Sequence, residues 1–365
     1  MRKKNLIVVV LLTVIGVVLV TLLRSTPATS REVAQNRETP ESETVPTATE
    51  PAATIDACVR PYTDDSIWNL PIDWSQARIH PDNDAMMAAF FHLEDWIGSD
   101  PTQFAPNVYL VTNETPVVEV RLIKNRFRDA VDDVNIQYGE PGGSVWMPIP
   151  SGAIPAPGTD GQMVVVNLDT GEEWGINKGA VDNVGNWIVG GAYRYSINNS
   201  GIPPLGFAQR GGGIGQLAGI VRRCEIEQGS INHAVTLAYD FPCEPEVCAV
   251  NGWPAAVPPF TKTDGRGLAT YDIPEGARIA IRPEITLEQI RSVCHEIEGC
   301  EVWAQAMQQY GGFIVDNSGH PKTYPEGDAT AQWDPSIWTA EMLRDIPSDW
   351  YVVIDWNFPS TKSGQ

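Results

Sequence analysis

The chain has 365 residues and carries 46 acidic against 25 basic side chains, a formal net charge of −21. A surface that acidic is repelled by phosphate backbones and anionic headgroups, which argues against nucleic acid as a partner. The length allows one or two domains with a sizeable buried core.

The N-terminus predicts a single transmembrane helix. Residues 1–5 form a basic tip, and an apolar run follows from Leu6 to Leu23. At about 1.5 Å per residue this run spans roughly 27 Å, close to the thickness of a hydrocarbon core. The cations before it predict a cytoplasmic N-terminus and an exported remainder of the chain. Cleavage as a signal peptide near Ser30 is the alternative, and it places the remainder on the same side.

Residues 24–55 are predicted to be a disordered linker, because Ser, Thr, Pro and Glu dominate there and large apolar residues are scarce. A flexible linker of that length has an r.m.s. reach on the order of 30 Å. The folded part is then expected at 56–358, with a tail at 359–365. We expect the linker to hold this domain near the membrane without laying it on the lipid.

Short apolar runs and period-2 alternation predict a mainly β domain, with a β-sandwich or jelly-roll-like body and a few peripheral helices. Glycine-, proline- and asparagine-rich turns bound many of the runs. The predicted strands are Val108–Thr112, Val117–Ile123, Val145–Ile149, Met163–Leu168, Glu172–Ile176, Asn186–Val189, Ala192–Ile197, Ala234–Tyr239, Arg278–Arg282, Gly312–Val315 and Trp350–Ile354.

Three helices are predicted among these strands. The first is amphipathic and covers Asp84–Trp96. The second begins with a capping box at Thr286 and Gln289 and reaches about Glu296. The third covers Glu301–Tyr310 and ends where two glycines follow.

All six cysteines lie in the part predicted to be exported, where an even number favours disulfides. Two pairs are close in sequence, Cys243 with Cys248 and Cys294 with Cys300. Elimination leaves Cys58 with Cys224. A zinc site is the alternative, but the matching Cys or His ligands that would complete it are missing from the sequence.

A glycine-rich loop at 211–215 precedes the most distinctive segment of the chain, residues 217–239. From Gly213 the sequence matches the G-x-G-x-x-A form of a dinucleotide fingerprint, but it follows two prolines and lacks the βαβ context that the motif requires. We therefore predict a loop leading into a short helix. Backbone without side chains can approach a ligand closely, so Gly212 and Gly213 are candidate substrate-binding residues.

The order of motifs resembles that of a largely uncharacterised group of secreted bacterial β-rich proteins. An Asp160-Gly161 turn and a Thr-Gly-Glu-x-Trp hairpin come first, and the Leu-Ala-Gly segment and the Gly-x-Ile-x-His-Ala step at 229–234 follow. Thr263-Asp264-Gly265, Pro274-Glu275-Gly276 and Val315-Asp316 complete the series. The resemblance covers about 66–319 and implies a shared fold and an extracytoplasmic role. It brings no assigned reaction.

Four residues are candidates for catalysis. His233 stands at the mouth of a predicted strand, and imidazole suits acid–base chemistry near neutral pH. Asp160, Glu225 and Asp316 lie beside turns or strand ends, and glycoside hydrolysis needs two carboxyl groups about 5–10 Å apart. The alternatives are a buried His233 bonded to a loop carbonyl, and carboxylates that are solvated surface charges.

Twelve tryptophans suggest sugar stacking or a large β core. Trp146 and Trp174 lie near the candidate loops and are predicted to contact substrate. The acidic run Asp129–Asp133 can offer oxygen ligands to calcium, but it lacks EF-hand spacing. The sequence contains no zinc-protease motif, and neither a metal nor another cofactor is expected.

These features favour a membrane-anchored, extracytoplasmic carbohydrate-active protein, a glycan hydrolase or lyase acting on polysaccharide or cell-surface glycan. The alternative is a non-catalytic binding or scaffold module displayed on the linker. A pocket in which His233 meets carboxylates would favour the enzyme, and a flat surface lined by tryptophans would favour the binding module.

Overall fold

The computed structural model describes residues 57–124, 126–131, 137–138, 143–205 and 210–361. The predicted basic tip, membrane helix and linker at 1–55 lie outside these ranges, as do residues 362–365 of the predicted tail. Within them, no helix is both long enough and apolar enough to cross a membrane. The described residues belong to one compact unit, 49–365.

Strands dominate the described residues, so the prediction of a mainly β domain is confirmed. Each of the eleven predicted strands is present, shifted by at most two residues at either end. The strands are β1 Asn107–Val111, β2 Val117–Leu122, β3 Arg126–Asp129, β4 Gln137–Tyr138, β5 Ser144–Pro148, β6 Met163–Asn167, β7 Glu172–Asn177, β8 Ala180–Val181, β9 Trp187–Val189, β10 Gly191–Ser196, β11 Val235–Tyr239, β12 Arg278–Ile281, β13 Gly312–Asn317, β14 Lys322–Thr323 and β15 Tyr351–Val353.

These strands form three mixed sheets. Their orders are β1-β6-β7-β10-β3-β4, β14-β11-β13-β12-β15 and β5-β2-β9-β8. The six-stranded and four-stranded sheets share one apolar cluster, to which both contribute buried side chains such as Val165 and Leu122. Side chains from two sheets that meet in one core are typical of a sandwich. The jelly-roll arrangement itself stays a prediction.

Parallel pairs are the feature that alternation did not predict. β11 runs parallel to β13, and β1 runs parallel to β6. β1 and β6 are buried along their whole length. Alternate residues of these two strands face the shared core, and the others pack against Leu217 and Ile220 of the Leu-Ala-Gly segment. Burial on both faces explains why their sequences are almost continuously apolar.

Helices are short and flank the sheets. The helices are α1 Asn83–Phe90, α2 Arg223–Glu227, α3 Pro245–Val250, α4 Leu287–Cys294, α5 Glu298–Gln309 and α6 Asp328–Ala331, with one 3-10 turn at Ser348–Trp350. The capping box of α4 is confirmed, since Thr286 Oγ1 accepts from Gln289 N at 3.2 Å. α1 ends at Phe90, earlier than predicted. α5 begins before Cys300, so that cysteine lies inside the helix.

The structure pairs all six cysteines as the sequence predicts. The disulfides are Cys58–Cys224, Cys243–Cys248 and Cys294–Cys300. The first joins the start of the domain to α2 across 166 residues. The other two close loops across separations of 5 and 6 residues.

Candidate functional site

Three carboxyl groups converge beside the end of β13. The side-chain oxygens of Asp264, Glu275 and Asp316 lie within 4.8 Å of one another. Asp316 belongs to β13, Glu275 precedes β12, and Asp264 lies in a turn between β11 and β12. We call these three residues the carboxyl cluster. It is at the carboxyl end of the parallel pair β11·β13, the edge at which ligands commonly bind to parallel strands.

The members of the cluster differ in their access to solvent. Glu275 is fully buried, Asp316 is partly exposed, and Asp264 is exposed. Asp264 N donates to Glu275 Oε2 at 3.2 Å, which holds the turn against the buried carboxyl group. The other oxygen of Glu275, Oε1, has no hydrogen-bond partner among the described residues.

The glycine-rich loop lies directly against this cluster. A Cβ atom at Gly211 would collide with Glu275 Oε1 and with Asp264 Oδ1. Gly212 N donates to Val315 O at 2.8 Å and so fixes the loop beside β13. Glycine at position 211 therefore lets the backbone approach two carboxyl groups closely.

Substitution of Gly211 by alanine is expected to lower the free energy of unfolding by about 1–3 kcal/mol, the usual effect of overpacking. It should also displace the Asp264 carboxylate. Urea denaturation measures the change. Gly319→Ala is the matched control, because a Cβ there meets no atom within 4 Å. Equal stability of the two variants would contradict the close approach of the loop.

A buried arginine faces the cluster from the loop. Arg210 is 1% exposed, and its Nη1 lies 3.7 Å from Asp316 Oδ2, too far for a hydrogen bond. Its guanidinium stacks 4.2 Å from the centroid of the Tyr324 ring. Within the described part of the chain, its Nε and Nη1 have no hydrogen-bond partner. Buried polar atoms without a partner are rare in folded proteins, and a catalytic role or a bound water or ion can account for them.

Burial and mutual repulsion change the acidity of the cluster. Burial raises the pKa of Asp316 to about 6, although the nearby Arg210 cation opposes that rise. Burial also holds the pKa of Glu275 well above its usual range, and the negative charges of Asp264 and Asp316 raise it further. Two carboxyl groups of the cluster can therefore hold protons at a pH where ordinary carboxyl groups are ionised.

Asp160 and Asp316 both act on the charge of Lys322. Burial lowers the pKa of Lys322, and the negative charges of Asp316 and Asp160 partly reverse that effect. Lys322 also packs 4.7 Å from the Tyr324 ring centroid. Asp160 is not a member of the carboxyl cluster.

His233 and Glu225 form a separate pair at the other end of β11. His233 Nε2 lies 2.9 Å from Glu225 Oε1, and its Nδ1 is 2.9 Å from Ala234 O. Both ring nitrogens are therefore engaged, and the side chain is buried. This is the alternative that the sequence left open, a buried histidine bonded to a loop carbonyl. Burial lowers the pKa of His233, but the Glu225 carboxylate and the bond to Ala234 O together raise it overall.

The predicted substrate-binding residues are dispersed. Trp174 is buried in β7 and stacks on Phe127, whereas Trp146 on β5 is 61% exposed. Gly212 packs near Phe260, and Gly213 has a φ of +79°, which suits a turn. Of these four residues, Gly212 lies close to the carboxyl cluster, because it bonds to Val315, the residue before Asp316.

Among the described residues, the carboxyl cluster is the group whose oxygen atoms lie close enough together to bind one cation. Asp129, from the acidic run predicted as an alternative calcium site, forms an ion pair with Arg194 at 2.7 Å. Residues 132–136 of that region lie outside the described residues. Asp264 and Glu275 were not identified as site residues from the sequence. The Thr-Asp-Gly and Pro-Glu-Gly motifs that contain them could have pointed to them.

Comparisons with known proteins found no matching family model, curated protein or solved structure. The fold and the site define the chain as a disulfide-bonded, mainly β protein with a partly buried carboxyl cluster against a glycine-rich loop. The function must therefore be argued from this site.

Proposed function

We propose that the protein is a membrane-anchored, extracytoplasmic glycan hydrolase, and that its reaction centre is the carboxyl cluster. One observation carries the proposal: three carboxyl groups of unequal exposure lie within 4.8 Å of one another beside a buried, incompletely bonded arginine, and burial raises the pKa of two of them, Glu275 and Asp316. Such differences in environment let one carboxyl group act as a general acid while another stays ionised and acts as base or nucleophile. The three disulfides support a location outside the cytoplasm.

Asp316 would act as the general acid. Its pKa of about 6 keeps part of the population protonated near neutral pH. Its Oδ–H would transfer the proton to the glycosidic oxygen as the bond from that oxygen to the anomeric carbon breaks. Arg210, 3.7 Å away, would stabilise the carboxylate left behind. The partial exposure of Asp316 gives substrate a route to it.

Asp264 would act as the nucleophile. Its exposed carboxylate would attack the anomeric carbon and form a glycosyl–enzyme ester. Water would then attack the same carbon, transfer a proton to Asp316 and release Asp264. Retaining glycosidases separate their carboxyl groups by about 5–5.5 Å, and inverting ones by about 6.5–9.5 Å. The nearest carboxyl oxygens, at most 4.8 Å apart, lie closer to the retaining separation than to the inverting one.

The expected product of hydrolysis therefore keeps the anomeric configuration of the substrate. The purified extracytoplasmic part, 56–365, is incubated with a panel of neutral and acidic polysaccharides, and NMR follows the first anomer released. Inversion would overturn the role of Asp264. Unsaturated, ultraviolet-absorbing ends would indicate a lyase. Failure to cleave any glycan, together with calorimetric binding of Ca²⁺ that Asp316→Asn abolishes, would make the cluster a cation site.

A non-catalytic glycan-binding module is the second candidate, and Trp146 favours it. This ring is 61% exposed on the four-stranded sheet and lies opposite Glu119 of β2. Exposed rings stack on the apolar faces of sugars. Retention of insoluble polysaccharide that Trp146→Ala abolishes, without release of reducing ends by the wild type, would support this candidate against the hydrolase.

A further inference from the structure

A second polar cavity lies at the opposite end of β11 and β13 from the carboxyl cluster. It has a volume of about 410 Å³, and the Cys58–Cys224 disulfide borders it through Cys58. Its other lining residues are Arg60, Glu225, Gln228, Ser230, Asn232 and Tyr310. This volume lies within the range of small-molecule sites. We call it the Glu225 pocket.

Topology separates the two sites. Tyr310 precedes the first residue of β13, whereas Asp316 lies near the end of that strand. From Gly312, the first residue of β13, to Asp316 the strand spans roughly 13 Å at about 3.3 Å per residue, and Tyr310 lies before that span. The Glu225 pocket also shares no lining residue with the carboxyl cluster. A ligand in the pocket is therefore remote from the reacting carboxyl groups.

The carboxylate in the pocket is held in one orientation. Glu225 Oε1 lies 2.9 Å from His233 Nε2, and its Oε2 accepts from Arg222 N at 2.8 Å. The Glu225 side chain is 9% exposed, so it is nine-tenths buried and still reaches the cavity. A fixed acceptor of this kind orients a hydroxyl group at little entropic cost.

The charges around the pocket balance in pairs. The Arg60 guanidinium forms an ion pair with Asp64, and the Glu225 carboxylate pairs with His233. With His233 protonated, such pairing leaves little surplus charge to attract an ion. The remaining lining offers amide and hydroxyl groups from Gln228, Ser230 and Asn232, which both donate and accept hydrogen bonds.

We infer that the Glu225 pocket binds a neutral saccharide unit. Tyr310 supplies an aromatic wall, the amides and hydroxyl supply hydrogen bonds, and Glu225 fixes one of the sugar hydroxyls. The neutral, polyhydroxylated character of the ligand follows from the pocket alone, whereas the choice of a glycan rests on the proposed function. The pocket holds the glycan to the protein at a distance from the site of cleavage.

Isothermal titration calorimetry tests the inference with cellohexaose, xylohexaose, mannohexaose and N-acetylchitohexaose as probes. The titrations use 56–365 carrying Asp316→Asn, so that the probe is not consumed. At least one hexasaccharide is expected to bind. Gln228→Ala and Asn232→Ala should each weaken that binding roughly threefold to tenfold, the usual effect of losing one hydrogen bond. Both positions are exposed, so both variants should fold.

Gln305→Ala, which changes an exposed glutamine outside the pocket lining, is the matched control and should leave the affinity unchanged. The inference is overturned if none of the four probes binds, or if neither pocket variant weakens binding. Binding without cleavage by the wild type would contradict the proposed hydrolase and leave the pocket supported. Cleavage by the wild type without binding at the pocket would support the hydrolase and contradict the inference about the pocket.

Discussion

Asp316→Asn is expected to lower kcat on the cleaved glycan by a factor of roughly 10² to 10⁴, the contribution of a positioned general acid. The amide is close in size to the carboxyl group and cannot supply the proton, so the change removes chemistry with little change in packing. Asp65→Asn, at an exposed position outside the cluster, is the matched control and should keep full activity.

The pH profile separates a catalytic role from a structural one. The general acid must be protonated in order to act, so activity should fall about tenfold per pH unit above the pKa of Asp316, which is about 6. Residual activity of Asp316→Asn should not show this fall. An unchanged alkaline limb in the variant, or unchanged kcat, would remove Asp316 from the reaction.

Short apolar runs and period-2 alternation predicted the strands well because both depend on local burial. The run Met163–Leu168 appears as β6, and its residues are buried on both faces. Partner choice depends instead on contacts between residues distant in the sequence. Val235 pairs with Gly312 in a parallel register, and α3, β12, α4 and α5 lie between them in the chain. A pattern with a period of two residues carries no information about that crossover.

The candidate site was predictable only in part for the same reason. Asp316 was singled out because it ends a predicted strand, and that strand end does carry the cluster. Asp264 and Glu275 reach it through turns whose positions depend on the sheet order. His233 was favoured as a strand-mouth histidine, but it precedes β11 at the end remote from Asp316. Because β11 and β13 are parallel, the first residues of both strands lie at one edge of the sheet, and their last residues lie at the opposite edge.

Removal of the Cys58–Cys224 disulfide by a double Cys→Ser substitution is expected to lower the free energy of unfolding by about 5 kcal/mol. The estimate follows from the loop entropy of a 166-residue separation. A double substitution of Cys243 and Cys248 is the matched comparison. Its separation of 5 residues predicts a loss of about 2 kcal/mol. Urea denaturation of 56–365 measures both losses.

The same double variant separates the two proposed sites. Cys58 lines the Glu225 pocket, and its bond to Cys224 holds the N-terminal segment against α2. Loss of that bond should weaken saccharide binding at the pocket, because the segment that carries Cys58 and Arg60 is then no longer tied to α2. The carboxyl cluster lies at the other end of β13 and contains no residue from this segment. Cleavage of a short glycan should therefore persist below the unfolding transition.

Equal losses of stability on removal of the long and the short disulfide would instead show that Cys58–Cys224 acts through local packing and not through the unfolded chain.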